Sequence, residues 1–256
     1  MRVKHRFVAA LLMAVAGLPS IAWADSGDAP AVIATEGGGW SFELVPYAWL
    51  PGLRGDLTVR NRNVGIDQSF SDIFKTVKFA ADGLGIARYN DWLIYTQVDY
   101  FNLSTSQLNN PPARGSFDTK ETFYTVAAGK RWNGWTSGLT FDVLIGAQGL
   151  NIDNTLTFYR LGTFQRTRDN VDVIVMLRPS MQLSQHWVIN PTFSGGGGGS
   201  NSTYQLQPQV QYQFNSTWEL RFGYRKMWYG FSGQRNPNDN LNMSLAGPLI
   251  GFGATF

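Results

Sequence analysis

The chain has no cysteine and only two histidines. Beyond its first residues it also has no apolar run long enough to cross a membrane as a helix. Each shortage closes off a chemistry. Without cysteine there can be no disulfide, no thiol nucleophile and no thiolate metal ligand. With only His5 and His186, histidine-dependent hydrolysis and most transition-metal sites have little to build on. No catalytic residue, metal site or cofactor is therefore expected. Charge of one sign is missing as well. Lys and Arg total 21 against 18 Asp and Glu, but three of the basic residues, Arg2, Lys4 and Arg6, open the chain, and the remainder balances at 18 of each. A neutral body offers no electrostatic case for a nucleic-acid partner, and none is expected.

The first residues read as an export signal. A basic head (Arg2, Lys4, Arg6), an apolar stretch from Phe7 to Leu18 and the small-x-small triplet Ala22-Trp23-Ala24 fit a cleaved signal peptide over residues 1–24. Residues 25–39 are expected to form a periplasmic N-terminal segment, and 40–256 a single domain.

What the chain does have is aromatic residues, at 14%, and alternation. Trp40, Trp92, Trp135, Trp187 and Trp218 each head an alternating apolar/polar run, and four of them follow a short polar turn. An indole at one end of every second strand suits a membrane interface, because the ring is apolar and its N–H seeks water. In Tyr204–Phe214, glutamines occupy every second position and apolar residues the others, at the length of a tilted membrane strand. Ten such runs are countable: 40–44, 79–89, 92–103, 118–132, 135–148, 171–183, 187–194, 204–214, 218–225 and 242–256. The connections before Trp92, Trp135, Trp187 and Trp218 are short, with Asn133-Gly134 a type I′ hairpin signal. Longer ones are expected at 60–78, 104–117, 149–166, 195–203 and 232–241. The fold expected is an all-β transmembrane antiparallel up-and-down β-barrel of about ten strands, with eight as the alternative, in a Gram-negative outer membrane with both termini periplasmic. The five tryptophans and the C-terminal Phe256 would form its periplasmic aromatic girdle.

Several segments together resemble a group of proteobacterial outer-membrane β-barrel proteins, OmpA-like and opacity-type in the broad sense. They are Pro46–Gly55, Ser69–Phe74, Gly223-Tyr224-Arg225 and the Gly247-Pro248 terminus. The resemblance implies location and fold, the group's activities being largely unassigned. The chain's final Phe also resembles the terminal residue by which such barrels engage the barrel-assembly machinery. Outer-membrane lipids and lipopolysaccharide are the other expected partners, for a chain expected to be monomeric.

Strand parity aims a set of charges into the lumen: Glu43, Asp82, Arg88, Asp99, Arg131, Asp142, Asp172, Arg178, Glu219, Arg221 and Arg225. Such charges are either paired into a network that fills a narrow barrel or arranged as a polar conduit for small solutes. Ser71 or Asp72 can cap a short helix carrying Phe70, Ile73, Phe74 and Val77, as a plug in the mouth or a patch at the outer interface. Arg160, Arg166 and Arg168 can meet lipopolysaccharide phosphates or form a solvated rim. The function expected is non-enzymatic: a passive small-solute channel or an envelope-stabilising protein, the alternative being a barrel that binds surface ligands through its outer loops.

Overall fold

The computed structural model describes residues 39–59, 62–110, 113–158, 162–232 and 240–256. The expected signal peptide, all of the N-terminal segment but Gly39, and Arg160 lie outside them. The alternating runs form fourteen strand segments: β1 (Trp40–Trp49), β2 (Gly52–Val59), β3 (Arg62–Gln68), β4 (Val77–Tyr89), β5 (Trp92–Asn110), β6 (Ala113–Asn133), β7 (Leu139–Phe158), β8 (Gly162–Gln182), β9 (Trp187–Ile189), β10 (Thr192–Gly198), β11 (Ser202–Gln207), β12 (Gln209–Gln213), β13 (Trp218–Ser232) and β14 (Asn240–Thr255). One short helix, α1 (Phe70–Phe74), interrupts them.

These segments occupy ten staves of a closed antiparallel barrel. β2 continues β1 past Pro51, β10 continues β9 past Pro191, and β12 continues β11 past Pro208. Proline has no N–H to give the ladder, so the wall breaks at each of these points without losing its place in the sheet. β14 closes the ring, pairing with β13 from Trp218↔Ala254 to Ser232↔Asn240 on one side and with β1 and β2 on the other. β3 folds back on β2 alone, and the chain then passes through α1 into β4, which returns beside β1.

Alternation sorts the side chains. On β8, Val171, Val173, Val175 and Leu177 stand exposed on the outer surface, while Asp172, Ile174, Met176 and Arg178 are buried. A soluble protein would not leave such a band of valines in water; a bilayer solvates it. Trp40, Trp92, Trp187, Trp218 and Phe256 all lie at the same end of the wall, exposed. Trp40 packs on Tyr89 at 5.2 Å and Trp218 stacks on Phe252 at 5.2 Å between ring centroids.

The structure departs from the sequence reading in four places. Asn133-Gly134 is not a two-residue hairpin. β6 runs through Asn133, which pairs with Thr140, and Trp135 sits in a longer turn that Gly138 closes at φ +80°. The tight turn belongs to Asn90-Asp91 instead, where Asn90 takes φ +52°. The expected long loops at 104–117, 149–166 and 195–203 are mostly strand, and the one at 60–78 holds β3 and α1. β5 and β6 stay paired out to Asn110↔Ala113, and β7 and β8 out to Phe158↔Gly162, because Thr and Asn continue the ladder beyond the apolar band. The cap of α1 is Ser69: its hydroxyl accepts from the Asp72 N–H at 3.3 Å, and the Asp72 carboxylate accepts from the Ser69 N–H at 3.2 Å. Val77 is not on the helix but opens β4.

Candidate functional site in the barrel lumen

Inward parity assembles the predicted charges at two levels. Near the end ringed by Trp40, Trp92, Trp187 and Trp218, Glu43 on β1 is held from both sides, by Arg88 at 2.8 Å and by Arg221 at 2.5 Å. Arg221 reaches across β14 from β13 and also meets Glu219 at 2.6 Å. Glycine on β14 makes room for this: a Cβ at Gly253 would stand 2.7 Å from a Glu219 carboxylate oxygen. Beside this group, Arg131, Asp142 and Arg178 lie in one row on three neighbouring staves. Asp142 accepts two bonds from Arg131, at 2.7 and 3.0 Å, and approaches Arg178 at 3.4 Å. Gln211 ties the levels of the wall together, donating to Glu219 and accepting from Asn190 at 2.7 Å.

Higher in the lumen a second group forms around Arg225. Its guanidinium meets Asp99 at 2.7 Å, donates to the Tyr47 hydroxyl at 3.1 Å and lies 3.6 Å from the Trp49 ring centroid. The Tyr47 hydroxyl donates to Asp99 at 2.6 Å and accepts from Gln97 at 2.6 Å. Gln97 in turn accepts from Tyr95 at 2.7 Å. Arg225 is wholly buried, and Asp99 is the carboxylate that answers its charge.

All eleven predicted lumen residues face inward, but two are held by neutral donors. Asp82 accepts the Trp49 N–H at 2.8 Å. Asp172 accepts the Ser200 N–H and hydroxyl, each at 2.6 Å, and the Asn170 amide at 3.0 Å. Gln205, Gln207 and Gln209 donate one to the next along a ladder that ends on the Asn190 carbonyl.

The apolar part of the lumen went unread in the sequence. Trp49, Phe101, Phe123, Leu150, Met227 and Tyr229 are buried together toward the outer end, with Phe231, Leu245 and Leu249. Trp49 meets Phe101 and Phe123 edge-on at 6.0 and 6.2 Å. A second cluster around Val45, Leu84, Ile86, Tyr95, Leu144 and Met176 fills one side lower down. The signal was available, since Phe101 shares parity with Asp99, and Met227, Tyr229 and Phe231 share it with Arg225.

Between Tyr47, Gln97, Gln209 and Arg221 the interior leaves a gap of only about 10 Å³, no more than one water. Of the helix residues, Ile73 is buried, whereas Phe70 and Phe74 pack on each other at 5.6 Å and stay open to the outside. The ring of Phe231 receives the Arg168 guanidinium at 3.9 Å, which turns that arginine inward rather than toward a lipid phosphate. His186 lies in the turn between β8 and β9, its Nδ1 2.7 Å from the Gln213 carbonyl and its ring stacked on Tyr212. Among the described residues no group of three or more potential ligands gathers as a metal site.

No protein-family model matches the chain, and no curated protein does. Solved outer-membrane barrels do. The outer-membrane protease OmpT of Escherichia coli is 8% identical, with 85% of this chain and 96% of that one covered and a TM-score of 0.49. The translocator domain of the autotransporter NalP of Neisseria meningitidis is 12% identical over 87% and 90% of the two chains, with a TM-score of 0.41. Ail, the attachment invasion locus protein of Yersinia pestis, is 10% identical over 85% and 99%, with a TM-score of 0.37. What the chain shares with these is the fold, a closed antiparallel β-barrel.

Proposed function

We propose that the protein is a non-enzymatic outer-membrane barrel with a sealed lumen, an anchor that stabilises the envelope rather than a passive solute channel. One observation carries this reading. The lumen is occupied at successive levels by the Glu43–Arg221–Glu219 and Arg131–Asp142–Arg178 groups, the Arg225 group and the Trp49–Phe123 cluster. Ten staves enclose a bore that side chains can fill, unlike a sixteen-stranded porin. Arg and carboxylate rows that selected a solute would have to face water, and here they face each other.

The absence of an enzymatic role rests on the same inventory. The one mature histidine is committed to a periplasmic turn, away from the outer surface where a substrate would arrive. Planar-bilayer recording on the refolded protein is the test. The expected trace is that of lipid alone at moderate voltage; a stable, reproducible conductance step would overturn the sealed reading.

A second reading has its own support. β5 to β8 run well past the apolar band as two paired hairpins. Those hairpins offer a polar surface outside the membrane for binding a ligand.

A further inference from the structure

Ten residues separate Trp218, at the periplasmic rim of β13, from Trp228 on the same outer face. At about 3.3 Å per residue and a tilt near 40°, that is roughly 25 Å of height, the thickness of the apolar band of such barrels. The side chains agree. Going up the outer face, β13 passes from Leu220, Phe222 and Tyr224 to Lys226, and β14 from Phe252 and Ile250 to Ser244 and Asn242. Trp228 therefore marks the outer boundary of the bilayer.

At that level the wall is hollowed by a groove of about 570 Å³, crossing β11, β13, β14 and β2. It is built on two adjacent cross-strand rows. In the lower row Tyr204 pairs with Trp228, Trp228 with Ser244, and Ser244 with Arg54. In the upper row Ser202 pairs with Gly230, Gly230 with Asn242, and Asn242 with Asp56. Two aromatic rings thus wall one end, with Lys226 lying 4.6 Å from the Trp228 ring centroid, and small or polar residues floor the rest.

The charge of the groove decides its ligand class. Arg54 is already paired with Asp67 at 3.2 Å, and Asp56 lines the groove as a second acid, offsetting the Lys226 ammonium by Trp228. The site is neutral and so a poor trap for a bare phosphate. It presents instead an aromatic wall, Tyr204 and Trp228, with hydroxyl, amide and carboxylate groups lining the same groove. Sugars need that combination, because a pyranose offers an apolar C–H face to a ring and a rim of hydroxyls to polar partners. A lipid whose tails lie along the apolar band would bring its headgroup to this height.

We propose that this groove binds the saccharide headgroup of an outer-leaflet glycolipid. The inference stands apart from the sealed-lumen reading, since the groove faces the bilayer and not the bore.

The test uses the full mature protein, refolded and purified. Bound lipid is measured by native mass spectrometry after incubation with lipopolysaccharide bearing core sugars, the same glycolipid dephosphorylated, lipid A without core sugars, or phosphatidylglycerol. The glycolipids, lipid A with its glucosamine disaccharide included, should be retained about tenfold better than phosphatidylglycerol, as one stacking contact and its hydrogen bonds imply. Dephosphorylation should change retention by less than about twofold, a change below 0.5 kcal/mol. Trp228→Ala and the groove-filling Ser244→Phe should each abolish the preference while leaving heat-modifiable gel mobility, the sign of a folded barrel, intact. Equal retention of phosphatidylglycerol, or loss of retention on dephosphorylation, would overturn the proposal. So would an undiminished preference in Ser244→Phe, which removes no side chain the fold depends on.

Discussion

Around Glu43 and Asp142 guanidinium and carboxylate groups pack beside an apolar cluster on one side of the lumen, whereas around Trp49 and Phe123, toward the other end, rings and aliphatic chains fill it. The two halves also differ in reach. In the ionic half, Arg131, Asp142 and Arg178 bond to the next stave along one row, and Arg221 reaches only across the glycines of β14. In the aromatic half, contacts cross the bore: Trp49 of β1 meets Phe123 of β6, and Phe123 meets Tyr229 of β13 at 6.4 Å. Ionic packing around Glu43 and Asp142 thus knits near-neighbour staves and fixes their register, while the aromatic packing, with the Arg225–Asp99 pair of β13 and β5, ties opposite walls and closes the cross-section. Arg225 belongs to both, paired with Asp99 and stacked on Trp49.

That double membership makes Arg225 the residue whose loss should do most. Arg225→Met leaves Asp99 buried without its cation and removes the stacking on Trp49, a cost of about 3–5 kcal/mol. Urea unfolding of the barrel refolded into vesicles measures it. Adding Asp99→Leu should recover much of the loss, because the isolated charge is what destabilises. If the single and double variants were equally unstable, the ionic half would matter through packing and the contrast between halves would fail.

Phe123→Ala should cost about 3 kcal/mol, by opening a cavity between opposite walls. A loss below about 1 kcal/mol would mean that water already enters the outer half. The bilayer recording would then be expected to show transient openings in this variant first. Tyr47→Phe sits at the junction and keeps the ring while removing the hydroxyl shared by Asp99, Gln97 and Arg225. Its expected cost is about 1.5 kcal/mol, in the range for hydrogen bonds to charged groups.

The contrast between halves also explains what could be read in advance. The ten staves and the inward set of charges were legible because a period of two is local, and a charge inside an apolar strand stands out against it. Trp40, Trp92, Trp187 and Trp218 marked strand starts for the same reason. The aromatic half escaped notice because Trp49, Phe101, Phe123 and Tyr229 are apolar on either face, so hydropathy alone cannot say which side they occupy. Only parity with Asp99 and Arg225 assigns them. Trp135 misled, because Asn133-Gly134 has the composition of a hairpin while the register Asn133↔Thr140 is a property of the sheet. The partners within the lumen were beyond reach, since Arg221 lies 178 residues from Glu43 and meets it only once the ring has closed.

The smallest expected effect lies outside both halves, at the cap of α1, and separates barrel stability from rim order. The Ser69 hydroxyl and N–H both donate to the Asp72 carboxylate, holding its carboxyl below the usual aspartate range. A carboxyl depressed in the folded state contributes fully above its unfolded value of 3.8 and loses that contribution as pH falls through the lower, folded one. Hydrogen exchange at the α1 amides should therefore be independent of pH-linked opening near neutrality and lose protection only below pH 3.8. Asp72→Asn should remove that acid step while leaving urea unfolding of the barrel unchanged. The helix is tied to the wall by one buried side chain, Ile73, and its cap is solvent-exposed, so its melting should stay local. If acid instead unfolded rim and barrel together, α1 would have to be counted as part of the outer closure, and the aromatic half would extend further up than Trp49 and Phe231 suggest.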